Sequence, residues 1–317
     1  MHLLENIFKK KERKLNINLN GGFPLYANLK NINNVNNNCF PPSSTLDREL
    51  TTLAKQLSFL DSCQKKVEAS GEQWDTDNIY RDALLDFVES MDKLHDIAYL
   101  LIRNVSSIVA DESLANSIEW VKKHEHNKYE LLKGAISKDH EWIRLTSNLK
   151  KHDDVRVGFL NMTTRSGKTV YGFFFGTIKE GVFTPNSDIH KQYKNDATAF
   201  SYNRFINQAV LHLFKIIKEL NKILFNGARG KDVNEHSCSS IIKIIQIADL
   251  VDRVFFPDEY TKKFLTIRKN KNSYSLTSDK VNYIDKFESF GQIIMLENQG
   301  RNGYKIPYHS MIFGNSY

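Results

Sequence analysis

Arg144, Asn148 and His152 recur at steps of four in the stretch Trp142–Asp154. On an α-helix, at about 100° per residue, they climb one slowly drifting polar stripe. Trp142, Leu145 and Leu149 fall on a separate apolar stripe that can face a core. These are residue types that handle phosphates and protons. A guanidinium grips an anionic oxygen, and an imidazole is half-charged near neutral pH. Lys150 and Lys151 stand next to them and add positive charge.

Other constellations are less suited to chemistry. Arg229 and His236 have six residues between them, but Gly227, Gly230 and Asp232 around them describe a loop; the pair is a reserve catalytic site. Arg165-Ser-Gly-Lys-Thr169 resembles the tail of a phosphate-binding loop, yet Met162 stands where the first glycine belongs, so a hairpin turn explains it better. His124 and His126 are two apart and diverge on a helix, which disfavours a shared metal. His95 interrupts an apolar stripe and reads as a hydrogen-bonded core histidine. Tyr193, Tyr202 and Arg204 could stack a base, and ordinary packing accounts for them equally. Cys39, Cys63 and Cys238 are odd in number and far apart, with no CxxC pair, so neither a disulfide framework nor a thiolate zinc site is indicated. No metal site and no cofactor is expected.

The elements that position these residues follow from periodicity. Leu46, Leu50, Leu53, Leu57 and Leu60 repeat at fours and threes after Ser44, predicting a first long helix. A second and longest one spans about 77–109, a third about 114–136, and a short fourth carries Arg144 to His152. At Val155 the period changes to two, and β-prone runs flank Ser166-Gly167 and Lys179-Glu180-Gly181, predicting a hairpin or three-stranded meander at about 155–183. Helix returns at about 199–225 with a face apolar on two sides, followed by the buried-looking 241–251. Residues 15–44 are asparagine-rich and predict an extended or partly ordered arm, with Phe23-Pro24-Leu25-Tyr26 as an anchor.

The Asn148-Leu-Lys-Lys-His152 element at a helix end resembles the HEPN superfamily, helical bundles among which many are endoribonucleases of toxin and antiphage systems. The usual motif there is Arg, a short spacer and His, often with Asn or Asp directly after the Arg. Here Ser147 precedes Asn148, and seven residues separate Arg144 from His152. The resemblance covers about residues 45–225. It implies metal-independent RNA cleavage, with His152 as general acid or base, Arg144 on the scissile phosphate, Asn148 orienting either, and Lys150 and Lys151 raising RNA affinity electrostatically. It also implies a homo-oligomer whose motifs share a cleft, and a regulatory protein partner that releases the activity. The alternative is a non-catalytic HEPN-like sensor or adaptor that binds a protein or nucleotide.

Composition bounds the rest. With 41% hydrophobic and 26% charged residues over 317 positions, the chain can bury a sizeable core. Its balance of 44 Lys+Arg against 37 Asp+Glu gives +7, which permits a polyanionic partner without demanding one. Much of that excess sits in Lys9-Lys10-Lys11-Glu12-Arg13-Lys14. The start lacks the features of a secretory signal and no long uncharged apolar run occurs, so a cytoplasmic protein with no membrane span is expected. The expected fold is mainly α: an antiparallel helical bundle over 45–256 with the inserted β-hairpin, preceded by the arm at 1–44. A small β-containing C-terminal extension over 257–317 completes it.

Overall fold

The computed structural model describes residues 15–32, 40–70, 78–108, 116–152, 156–280, 287–295 and 303–313. In chain order the elements are β1 (Leu15–Asn18), α1 (Pro24–Lys30), α2 (Pro42–Ser70), α3 (Ile79–Val105), α4 (Ser117–His124), α5 (His126–Lys151), β2 (Arg156–Thr164) and β3 (Thr169–Lys179). There follow β4 (Val182–Pro185), β5 (Gln192–Tyr193), β6 (Asp196–Ala197), β7 (Phe200–Ser201), α6 (Tyr202–Phe225), α7 (Ser239–Leu250) and a 3₁₀ turn at Glu259–Thr261. The chain closes with β8 (Lys263–Lys269), β9 (Ser273–Lys280), β10 (Phe287–Met295) and α8 (His309–Phe313).

The expected helices form because their apolar residues recur at helical spacing and find one another. All five leucines of the α2 stripe are buried, as are Leu84, Phe87, Met91, Leu94 and Leu101 of α3, and the two helices pack along their length. α6 is buried on two sides: Phe205, Ile206, Ala209, Val210, Leu213, Ile216 and Ile217 all lie in the main core. Its start is fixed by Ser201, whose Oγ accepts from the Arg204 amide at 3.1 Å and donates to Glu259 at 2.6 Å. Its end turns through Asn226 in the left-handed region at φ 52°. Residues 117–151 divide differently from the periodicity-based expectation: α4 is short, breaks at Glu125, and α5 runs unbroken through Gly134.

The expectation of a mainly α bundle is corrected. The chain is mixed α/β, with three antiparallel sheets among the described residues: β1-β9-β8, β10-β2-β3-β4 with β7 also on β3, and β5-β6. β1 of the N-terminal region pairs with β9, Leu15 opposite Leu276, and β10 pairs with β2 of the predicted hairpin. These strands are short and locally unremarkable, and what makes them sheets is pairing across most of the chain, which periodicity does not carry.

The β2–β3 pair is covered on both faces, and its side chains sort with period two. Val157, Phe159, Phe173 and Phe175 enter the main core, where Phe173 meets Phe205 edge-on at 4.9 Å. Leu160, Met162, Val170 and Phe174 enter a second core with Phe183, Phe256 and Tyr308. Phe174 lies over its cross-strand partner Gly158, where an added Cβ would stand 2.3 Å from the ring. The second core is tied down by carboxylates: Tyr308 donates to Asp258, and Glu259 accepts from the Ser201 and Phe256 amides at 3.1 and 2.9 Å. Burial pushes the Glu259 carboxyl upward.

Two glycine-to-alanine changes have opposite expected signs. Gly158→Ala forces the Phe174 ring aside and lowers unfolding free energy by about 1–3 kcal/mol. Gly134→Ala, inside α5 with open space around it, raises it by about 0.5–1 kcal/mol. Urea midpoints of the two variants against wild type check both signs.

Candidate functional site

A cavity of about 690 Å³ lies between α5, α6, the loop 188–191 and the β8–β9 strands, with Leu15 of β1 at its edge. Its walls carry Lys138, Lys191, Arg204, Lys215, Lys218, Lys262 and Lys263 against Asp139, Glu141 and Asp188, a surplus of positive charge. Trp142 and Phe200, 5.4 Å apart between ring centres, supply aromatic surface. A volume of this size falls in the range of small-ligand sites.

Three residues of its wall carry buried nitrogens without a partner among the described residues. Arg204 is 4% exposed; one guanidinium nitrogen donates to the Lys263 carbonyl at 2.6 Å and the group lies over the Phe264 ring, yet Nε has no partner among the described residues. Burial lowers its pKa against the pull of Glu259 and Asp258, and the group stays charged. His212 is 2% exposed and neither ring nitrogen has a partner among the described residues. The half-buried Trp142 has an unpartnered Nε1 as well. Buried donors without acceptors are costly, and native structures hold few of them. Arg204, His212 and Trp142 bring four unpartnered nitrogens to the wall of this one basic cavity.

His212 stands at the end of a series of rings. His140 of α5 lies 5.5 Å from it and stacks in turn on His95 of α3 at 3.9 Å. His140 Nε2 bonds Asp92 Oδ1 at 3.1 Å. Burial, then His140 and His95, push His212 down to about 3, so the ring is neutral at neutral pH. Burial also lowers His140, with Asp92 opposing.

The sequence-predicted residues lie elsewhere. Arg144, Asn148 and His152 are all exposed on or just past α5, and neither described cavity includes them. Eight positions of helix separate Arg144 from His152, about 12 Å along the axis. Lys150 reaches Asp86 and Glu89 of α3 at 2.7 and 2.6 Å, and Lys151 reaches Asp92 at 3.5 Å. Both lysines therefore stitch α5 to α3, with their charge largely met inside the chain. Arg229 lines a second cavity together with Asp232 and Glu235; His236 is half-buried in the same turn-rich segment and does not line it. Arg165–Lys168 form the turn between β2 and β3. No cluster of three metal-ligating side chains occurs among the described residues, and no described helix is long and apolar enough to cross a membrane.

Of the residues singled out from sequence, Arg204 and Trp142 belong to the cavity; His140, His212 and most of its lysines were not singled out. A signal for the histidines was present: His95, His140 and His212 each interrupt the apolar face of a helix, flanked by Leu94 and Ile97, Ile136 and Ile143, and Leu211 and Leu213.

The buried neutral state of His212 has a measurable consequence. In the unfolded chain an ordinary histidine takes up a proton below about pH 6.5, whereas folded His212 refuses one until about 3. Its stability contribution is thus complete above about pH 6.5 and falls as pH drops toward 3. Relative to wild type, His212→Leu gains about 1.4 kcal/mol per pH unit on acidification through that window. Urea unfolding of both proteins at pH steps checks this, and other titrating groups cancel in the difference. Comparison of the chain with protein-family models, curated proteins and solved structures finds no match in any of the three.

Proposed function

We propose that this chain binds a nucleotide-class ligand, an aromatic base joined to phosphate, in the cavity between α5, α6 and β8. The observation that carries the reading is the coincidence of Trp142, Arg204 and His212, each with a buried unpartnered nitrogen, on the wall of one cavity with surplus positive charge. Phosphate oxygens supply the acceptors these donors lack, and the lysines at the mouth screen the charge. Trp142 and Phe200 offer the apolar face a base prefers. RNA and free nucleotides share this chemistry, and the length of the bound ligand separates them. The binding reading places the chain with sensors and adaptors rather than with enzymes.

A second reading keeps the HEPN-like ribonuclease. What favours it is that Arg144, Asn148 and His152 are all exposed along one stripe of α5, where an RNA strand could reach them. With about 12 Å between its ends, the stripe would work across a cleft shared with a second copy of the chain, each copy supplying part of the machinery.

Titration calorimetry with uridine monophosphate and with hexauridylate tests the first reading. Both bind wild type, and the double charge reversal Lys138→Glu/Lys262→Glu, at two exposed lysines of the mouth, weakens binding by on the order of tenfold or more at low salt. Unchanged affinity in that variant, or no binding by wild type, sinks the proposal. Incubating hexauridylate without divalent metal tests the second: cleavage that drops by about a hundredfold or more in both Arg144→Ala and His152→Ala supports it. An inert wild type removes it.

A further inference from the structure

His95, His140 and His212 come from three different helices and stack face to face, at 3.9 Å and 7° for the first pair and 5.5 Å and 22° for the second. The stack has a polar end and an open end. At the polar end His140 is bonded to Asp92, and His95 Nδ1 stands 3.7 Å from Asp96. At the open end His212 lines the cavity, and both of its ring nitrogens are without partners among the described residues. A neutral imidazole carries one donor and one acceptor, and burying both unmet leaves the desolvation penalty of each uncompensated.

We propose that His212 is a ligand-contacting residue that engages an anionic oxygen in the cavity as an imidazolium, so that ligand binding takes up one proton. The inference rests on the nucleotide-class reading of the same cavity. The proton comes from bulk water and adds to the free nitrogen of the neutral ring, and the resulting N–H donates to the ligand oxygen. No bond within the ligand changes.

The surroundings explain why the ligand has to supply the counter-charge. The groups that act on His212 are His140 of α5, His95 of α3 and Lys215 of its own helix. Asp92 of α3 bonds His140, and the charged residues Lys138, Asp139 and Glu141 of α5, Asp188 and Lys191 of the loop, Arg204 and Lys218 of α6, Lys262, and Lys263 of β8 line the same cavity. Asp92 is committed to His140, and Asp139 to Lys215 at 2.6 Å. The lysines and the neighbouring rings oppose a positive charge, and burial does so most of all, which is why the unliganded ring stays neutral. An anion in the cavity reverses that balance, because it brings an opposite charge to within hydrogen-bond reach and replaces lost hydration. Sequence spacing contributes a further point: Gln208, Leu211, Lys215 and Lys218 share the cavity-lining side of α6 with His212, so a ligand drawn in by the lysines arrives at this ring.

Titration calorimetry of wild type with hexauridylate near pH 6, in two buffers of different ionisation enthalpy, measures the proton uptake directly. The phosphodiesters carry fixed charge, so uptake reports the protein. The expected result is a net uptake approaching one proton, with affinity rising by up to about tenfold per pH unit on acidification. His212→Leu binds without that uptake and with a flatter pH profile. The second measurement needs no variant: with nitrogen-labelled histidine, the ring nitrogens of His212 in wild type keep neutral shifts down to about pH 5 alone and become protonated when hexauridylate is added. Binding with no proton uptake, equal uptake in His212→Leu, or a ring that stays neutral in the complex overturns this proposal and leaves the cavity reading standing. Failure of hexauridylate to bind at all overturns both.

Discussion

The enclosure of α6 is the constraint on which the rest of the structure depends. This helix packs against α1, α3, α5, α7 and β8, and touches β3 and β7 as well. A helix surrounded in this way must be apolar over most of its circumference, and the stretch from Phe205 to Leu220 is. Its ends are then held by hydrogen bonds rather than by burial. Ser201 and Glu259 fix the start, Asn207 exchanges bonds with the backbone of Leu265 at 3.1 and 2.7 Å, and Asn226 turns the chain at the end. The Asn207 pair locks β8 to the helix, so the sheet edge and α6 keep a fixed separation.

That separation is where the cavity lies. On the flank of α6 that lines it, polar side chains mix with Leu211 and Phe214, and Arg204 and His212 are sealed in without full sets of partners among the described residues. Arg204 keeps its charge beside a carbonyl and an aromatic face, and His212, stacked on His140 with no partner for its ring nitrogens among the described residues, loses its charge to burial. The two residues stand on one helix two turns apart in a similarly dry setting, and they resolve the same desolvation problem in opposite ways because a guanidinium cannot give up its proton and an imidazole can. The outcome is a pocket with fixed positive charge at its rim and a neutral base in its wall.

Much of this was legible in the sequence wherever one segment carries its own signal. The leucine repeat of α2, the stripe of α3, the two-sided apolar face of α6 and the change of period at β2 and β3 all rest on spacing within a dozen residues. Phe23, Leu25 and Tyr26 are buried, in keeping with their reading as an anchor. The strands 263–269 and 273–280 fall where short β-prone pieces were read. What stayed illegible depends on partners far away in the chain. Leu15–Asn18 is asparagine-flanked and four residues long, and becomes a strand because β9 is there to receive it. The division between α4 and α5 escaped notice because the break at Glu125 falls inside one run of helical spacing with no Gly or Pro to mark it, and α5 then continues through Gly134. The cavity was hidden for the same reason: its residues come from α5, α6, the loop before β5 and the region of β8 and β9, and no single stretch contains more than a fraction of them.

Leu15 and Leu276 are cross-strand partners, and both line the cavity. During synthesis the first of these leaves the ribosome long before the second exists. The helices can associate as they emerge, but this wall of the cavity is not closed until β9 has been made. Such a long-range closure is slow compared with helix formation, since the entropy of the intervening loop has to be overcome first. Nascent chains that lack β9 therefore carry the helices with an open flank on α6, and the cavity is completed last, when Leu15 and Leu276 have paired.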